Sequence, residues 1–357
     1  MGARLTINTE AILHNLRIIQ RLVDSHGVTI SVVTKALLGH EELMKMWVEA
    51  GVASICESRL PILEKWSGID VEKWLIRSPV PGEADQAVRC ADITLVSEGE
   101  ILESLSQAAV AMGCIHKVVI MVELGELREG CMPEELLDLC ELAVGLPGLD
   151  LHGIGTNLSD FNEVVPNDDN RAALIAAADH VERTLGVTLE VISGGNSSSL
   201  VSLIQGKHPS RINHLRIGEA ILLGTLACFV DPFEGARLDA FTVDAPIFEV
   251  KDKPSMPWGE RSPRGVPIVD DPTLVDRGVR RRALVALGKQ DMRAEYLVPC
   301  DPSLIIYGDT SDCLIVDVTD SKRDYHLGDI VRFRPKYQAL VSAMNSPYVD
   351  KIVLRGD

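Results

Sequence analysis

Five short segments combine residue types that can bind and activate an electrophilic, anionic ligand. The first closes an apolar run, Val32-Val33-Thr34-Lys35-Ala36. A neutral amine can form an imine with an aldehyde, and dry surroundings favour the neutral form; a lysine whose head reaches water at a strand end is the plainer reading of Lys35. The second, Glu123-Leu124-Gly125-Glu126-Leu127-Arg128-Glu129-Gly130, couples a glycine turn to a cation, Arg128, able to meet an anionic oxygen; the bland reading is a charged surface turn. In the third, Gly153-Ile154-Gly155-Thr156-Asn157, two glycines permit close approach of a backbone or ring, and Asn157 offers its amide. The fourth is Ser193-Gly194-Gly195-Asn196-Ser197-Ser198-Ser199, just before a helical pattern. Exposed N–H groups at a helix start form a cradle for an anion, with Asn196, Ser197 and Ser198 as its side chains, although the same residues are good helix caps. The fifth, Leu215-Arg216-Ile217-Gly218-Glu219, sets a cation inside an aliphatic run, where burying charge is costly unless it is partnered. Gly218 can add a backbone N–H to the same anion, with Glu219 beside it.

Each segment follows a short β-rich run. Such runs fall at 29–34, 52–56, 74–77, 93–96, 118–123, 149–153, 189–193 and 214–217, and stretches with apolar residues three and four apart lie between them, as at 41–50, 99–112, 133–144 and 170–185. A further helical stretch, 9–24, precedes the first run. Eight strands, each with a helix, predict an α/β fold with an N-terminal (β/α)8 TIM barrel, whose ligands bind at the C-terminal strand ends and whose phosphate sites follow strands seven and eight. An open doubly wound sheet shares the local pattern. The count of eight favours the barrel, as does a change after residue 230 to short strand-like runs at 241–250, 283–287, 304–306, 313–318 and 330–333. The expected domains are therefore a barrel, 1–232, and a C-terminal β-rich domain, 233–357, with an irregular Pro- and Gly-rich loop at 254–272.

A chain of 357 residues suits two such domains. The net charge of -17 speaks against nucleic-acid or anionic-membrane partners, which require a basic face. No apolar run is long enough to span a bilayer. Polar Asn8, Thr9 and Glu10 soon after the start do not suit a secretory signal. The eight cysteines are scattered, with no CxxC pair, and read as reduced core residues of a cytoplasmic protein rather than a disulfide frame or metal site.

Taken together, these segments resemble the alanine-racemase-like (fold type III) group of pyridoxal 5'-phosphate (PLP) enzymes, nearest the branch of ornithine racemase and related amino-acid racemases. The resemblance covers nearly the whole chain, including 286–291, 310–317 and 343–349 of the second domain. It implies that Lys35 carries the cofactor and that Arg128 approaches its phenolic oxygen. Gly195-Asn196-Ser197 would form the phosphate turn, Arg216 would face the pyridine nitrogen, and the backbone after it would hold phosphate. It further implies a homodimer in which the β domain of one subunit closes the barrel of the other, and a proton taken from Cα of an amino acid and returned on the opposite face. Lys35 would serve one face. An arginine is too weak an acid to protonate the ring nitrogen, which keeps the ring less electron-withdrawing and disfavours side reactions.

The sequence departs from the alanine racemase pattern at several places. Lys289 stands where the second base, a tyrosine, is expected, and Gly39 and His40 occupy the neighbourhood of a phosphate-gripping tyrosine. Asn157 replaces a histidine against the ring, and Met121 replaces a lysine that is often carbamylated. Cys313 stands where the ornithine-racemase branch has histidine. The second acid/base is therefore Lys289 or Cys313, and Asp312 is the acidic candidate for a substrate ammonium. The branch and the acidic balance point to a basic substrate such as ornithine. A decarboxylase or aldolase on the same scaffold is the alternative. The decarboxylase motifs are missing, and the late histidines, His208, His214 and His326, make a poor metal set. A non-catalytic PLP-binding protein would need only the barrel.

Overall fold

The computed structural model describes residues 2–229, 231–260 and 275–355. Residues 261–274, most of the expected 254–272 loop, lie outside them. The chain opens with strand β1 (Arg4–Asn8) and helix α1 (Thr9–Asp24). Buried Ala11, Ile12, Asn15, Leu16, Ile19 and Val23 recur at helical spacing on one face of α1. Eight strands follow: β2 (Thr29–Val33), β3 (Ser54–Glu57), β4 (Glu72–Leu75), β5 (Ile93–Val96), β6 (His116–Met121), β7 (Leu149–Gly155), β8 (Val191–Ser193) and β9 (His214–Ile217). They pair in sequence order, all parallel, and β2 closes on β9 with Ser31 opposite Arg216 and Val32 opposite Ile217. The helices between them are α2 (Glu41–Glu49), α3 (Leu60–Lys65), α4 (Ala84–Cys90), α5 (Gly99–Met112), α6 (Leu136–Gly145), α7 (Asp168–Leu185) and α8 (Leu200–Ile204), and the short α9 (Glu219–Leu223) follows β9. The expected barrel is present, its strands within a few residues of the predicted runs.

Parallel strands covered by helices are buried on both faces. Ile120, Ile154 and Ile192 meet Leu102, Leu105, Cys140, Leu174 and Val181 of the helices in one apolar layer. Inside the barrel, Val33, Cys56, Trp74, Leu95, Val119 and Met121 form a second, smaller cluster. The interior is only partly apolar, because Ser31, Ser54, Ser193, His214 and Arg216 are buried there as well.

Backbone contacts divide the chain into two compact units. One runs from Thr9 to Leu238; the other joins the residues up to Asn8 to those from Asp239 onward. This division falls six residues beyond the expected boundary at 232, and β1, expected within 1–232, groups with the second unit. That unit contains β10 (Phe241–Pro254), β11 (Val279–Val285), β12 (Leu297–Pro299), β13 (Ile305–Asp309), β14 (Leu314–Asp317), β15 (Ile330–Pro335), helix α10 (Tyr337–Asn345) and β16 (Asp350–Leu354). Its main path runs β12-β15-β10-β11-β14-β13, antiparallel throughout. β1 pairs antiparallel with β10 and parallel with β16.

One glycine fixes how closely the seventh and sixth barrel strands approach. A Cβ on Gly153 would lie 2.0 Å from the Val191 carbonyl oxygen. Gly153→Ala should therefore cost about 3 kcal/mol of stability, the upper end for overpacking, read as a lower midpoint of urea unfolding. An unchanged midpoint would mean that β7 and β8 can part without loss.

Candidate active site

The site residues of the barrel gather at the C-terminal ends of its strands because each follows its strand by a few residues. Lys35 opens a short 3-10 turn, Lys35–Leu37, directly after β2. Leu38 and Gly39 then both adopt left-handed backbone, at φ 51 and 63. A non-glycine residue there is strained, and the tight reversal sets Lys35 between the strand and α2. Lys35 is half-buried, and its amine has no hydrogen-bond or ion-pair partner among the described residues. Beside it Thr34 donates to the Cys56 carbonyl at 3.2 Å and to Glu57 at 3.4 Å. Burial holds the Glu57 carboxyl above its ordinary range, against hydrogen bonds from Ser58 and Arg59.

After β6, two carboxylates shape the turn that carries Arg128. Glu123 accepts from the backbone N–H of Gly125 at 2.6 Å and of Arg128 at 3.1 Å. Glu126 is buried and accepts N–H groups from Ser159, Asp160, Phe161, Asn162 and Val164. Burial alone would raise its pKa, but these donors outweigh it and lower it. Glu126 so holds the loop after β7 in place, and that loop delivers Asp160 to Arg128. Arg128 pairs with Asp160 and Glu129. Burial works against its charge, and the two carboxylates raise its pKa. Asn157 links this group to the next loop: its amide donates to Asp160 at 3.5 Å and accepts from Asn196 at 3.3 Å.

The loop after β8 carries the residues expected to cradle an anion. Gly195 sits at φ 109, a conformation that favours glycine, and a Cβ on Gly194 would lie 2.5 Å from Ile212. Asn196 caps the turn Ser197–Ser199, accepting from the N–H and hydroxyl of Ser198, and its amide donates to the Leu158 carbonyl. Ser197 Oγ accepts from the N–H of Ala220 at 3.1 Å, which ties this turn to the first turn of α9. A Cβ on Gly218 would press on Val33, 3.0 Å away, so the end of β9 lies hard against β2 near Lys35. Glu219 accepts from the Thr225 hydroxyl at 2.9 Å, and burial holds its carboxyl above the usual range.

Arg216 is the buried cation of the site. It donates to Ser193 Oγ and, at 2.8 Å, to the Thr156 carbonyl; no carboxylate pairs with it among the described residues. Burial lowers its pKa, yet an arginine stays charged. The Thr156 hydroxyl is also buried without a partner.

The second-unit candidates form a separate cluster. Gly288 lets two loops touch, since a Cβ there would lie 2.5 Å from the backbone N of both Asp312 and Cys313. Lys289 and Gln290 donate backbone N–H groups to Thr310 and Ser311. Lys289 extends outward and meets Asp309 at 3.4 Å. Asp312 is exposed, and the Cys313 thiol lies 3.1 Å from the Thr310 hydroxyl. Ser193, Thr156, Asp160 and His214 were not among the expected site residues. The first two sat inside quoted motifs, whereas nothing local in the sequence marked Asp160 or His214.

Residues 7–225 match the family model of the alanine racemase N-terminal domain. The chain is 35% identical to an ornithine racemase of Acetoanaerobium sticklandii over 356 residues, covering 99% of this chain and 100% of that one. It is 34% identical to a lysine racemase of Thermotoga maritima, covering 98% of each. Among solved structures, the alanine racemase of Bartonella henselae with covalently bound pyridoxal phosphate superposes with a TM-score of 0.75 at 17% identity, covering 99% of this chain and 100% of that one. A D-threonine aldolase of Filomicrobium marinum superposes at 0.72 with 16% identity, covering 96% and 89%. At such identities the solved structures establish a shared fold alone.

The interior histidines give the barrel a pH signature. Burial pushes His214 down to about 3, helped by Arg216, and His116 down to about 4. Both folded values lie below the unfolded value of 6.5. The stability they contribute is therefore complete above pH 6.5 and is lost as pH falls toward 4, at about 1.4 kcal/mol per pH unit for each proton taken up on unfolding. Glu57 and Glu219, shifted upward, act in the opposite sense, so the test is a difference. His116→Gln should flatten the fall in unfolding free energy between pH 6 and 5 by close to one proton. Parallel curves for the two proteins would contradict it.

Proposed function

The chain belongs to the alanine racemase N-terminal-domain family, a PLP-dependent family, and on that premise we propose that it is an amino-acid racemase that binds PLP on Lys35 and interconverts the L and D forms of a basic amino acid, ornithine or lysine. The observation that carries the reading is full-length identity of about a third to racemases of both amino acids.

The residues present suit the cofactor on structural grounds. Among the described residues, Arg216 is a buried cation without a paired carboxylate, the Thr156 hydroxyl is buried and unpartnered, and the Lys35 amine is unengaged. Gly194, Gly195 and Gly218 stand where a side chain would collide with its neighbours or strain the backbone. Asn196, Ser197, Ser198 and the N–H of Gly218 would hold the phosphate. Arg216 would face the ring nitrogen, Arg128 the phenolic oxygen and Asn157 the ring, with Glu219 bracing the start of α9. When bound, PLP supplies an electron sink for the charge left at Cα as its proton departs.

The chain provides the acid and base. Lys35 takes or returns the Cα proton on one face. On the other face the base is Lys289, with Cys313 as the alternative, supplied by the partner subunit of a homodimer in the cytoplasm. The Asp309 carboxylate beside Lys289 would hold that amine in place. Asp312, exposed next to it, suits the side-chain ammonium of a basic substrate.

The test is incubation of the PLP-loaded protein with single L-amino acids in deuterated water. L-ornithine or L-lysine should gain deuterium at Cα with appearance of the D form, and at least tenfold faster than L-alanine. Release of CO2 or an aldehyde would replace the racemase reading with a decarboxylase or an aldolase. Lys35→Ala should abolish both exchange and the visible absorbance of the bound cofactor. Arg216→Glu should raise the share of transamination at least several-fold; an unchanged product profile would remove Arg216 from its place at the ring nitrogen.

A further inference from the structure

Beneath Arg216 a file of hydrogen bonds runs down the inside of the barrel. Ser193 Oγ, which accepts from Arg216, lies 2.9 Å from Nδ1 of His214. Nε2 of the same ring lies 2.8 Å from Ser31 Oγ, Ser31 lies 2.6 Å from Ser54 Oγ, and Ser54 lies 3.5 Å from the Ile30 carbonyl. Ser31, Ser54, Ser193 and His214 are all buried. Trp74 stacks on His214 at 4.5 Å between centroids and 9° between planes, which fixes the ring, and Trp74 is anchored in turn by its N–H to Glu72 at 2.7 Å.

The ends of this file set its direction. A guanidinium can only donate and a carbonyl can only accept. Ser193 has one hydroxyl hydrogen and already accepts from Arg216, so that hydrogen goes to His214 Nδ1, its one other side-chain neighbour within hydrogen-bond reach among the described residues. The ring must then carry its proton on Nε2 and donate to Ser31, which donates to Ser54, which donates to Ile30. With the proton on Nδ1, or on both nitrogens, the Ser193 hydrogen would be left without an acceptor and turned against the guanidinium. Bonds that all run one way polarise one another in the same sense.

We propose that His214 is a positioning residue for the racemase reaction: held as the Nε2-protonated tautomer, it turns the Ser193 hydroxyl so that a lone pair faces Arg216 and fixes the guanidinium opposite the cofactor's ring nitrogen. The inference rests on the place given to Arg216 under the proposed function. Burial, which keeps the ring neutral, is consistent with it.

The first test needs neither cofactor nor substrate. Nitrogen-15 NMR of the apoprotein at neutral pH should show His214 protonated at Nε2 alone, with Nδ1 accepting a hydrogen bond that disappears in Ser193→Ala. A proton on Nδ1, or an imidazolium, would overturn the proposal. The second test uses the PLP-loaded enzyme and His214→Phe, which preserves a ring against Trp74 and removes both hydrogen bonds. It should lower kcat at least tenfold with KM within twofold, raise the transamination share several-fold and shift the visible absorbance, and Ser193→Thr should retain the wild-type partition. A wild-type partition ratio in His214→Phe would overturn the positioning role. If His214→Phe does not fold, Ser193→Ala is read for the same partition ratio and absorbance, and wild-type values there would equally overturn it. Should no amino acid be racemised, the tautomer still decides the arrangement, so the two readings fail separately.

Discussion

A buried positive charge with no carboxylate paired to it among the described residues is the constraint on which the mouth of the barrel depends. Removing a guanidinium from water is expensive, and Arg216 recovers only part of that cost from the Ser193 hydroxyl and the Thr156 carbonyl. An aliphatic residue at this place in β9 would be easier to bury. The polar interior beneath it, two further serines and a stacked histidine, follows from the same charge, because every donor must end on an acceptor.

The carboxylates around the mouth divide the labour differently from their appearance in sequence. Glu123 and Glu126 look like exposed acids of a charged turn. Both face inward and satisfy backbone N–H groups, Glu126 across to the loop that follows β7. Asp160 and Glu129 neutralise Arg128 instead. The loops after β6, β7 and β8 thereby form one braced unit, through Glu126, Asn157 and Asn196, rather than three independent excursions. A ligand meeting Arg128, Asn157 and the Asn196–Ser198 turn meets groups already fixed with respect to one another, which reduces the ordering cost of binding.

Most of the barrel was legible because its information is local. Each strand is a short β-rich apolar run, each helix a periodic stretch, and neighbours in sequence are neighbours in space. Lys35, Arg128, Asn196 and Arg216 could be singled out because strand ends are functional positions of this architecture. The parts that escaped are set by distant partners. β1 is only five residues long, and its neighbours lie more than two hundred residues away. Its membership of the second unit, and the boundary at Leu238, follow from that pairing. Asp160 depends on Glu126 for its position, and His214 acquires meaning only from Ser193, Ser31 and Trp74, each on a different strand. Nothing in the sequence near a histidine tells which serines will face it.

The pairing of β1 with β16 bears on how the polypeptide is made. β1 finds one neighbour only after β10 is synthesised and the other only after β16. At typical synthesis rates of about 5–20 residues per second, that delay is on the order of tens of seconds. The barrel strands, by contrast, acquire their partners in the order of their emergence. Five residues of unpaired edge must stay out of other pairings meanwhile, and the alternation in Arg4-Leu5-Thr6-Ile7-Asn8, apolar on one side and polar on the other, leaves only one face to shield. β1 is held in reserve until β10 and β16 arrive, so its place in the second unit is filled late.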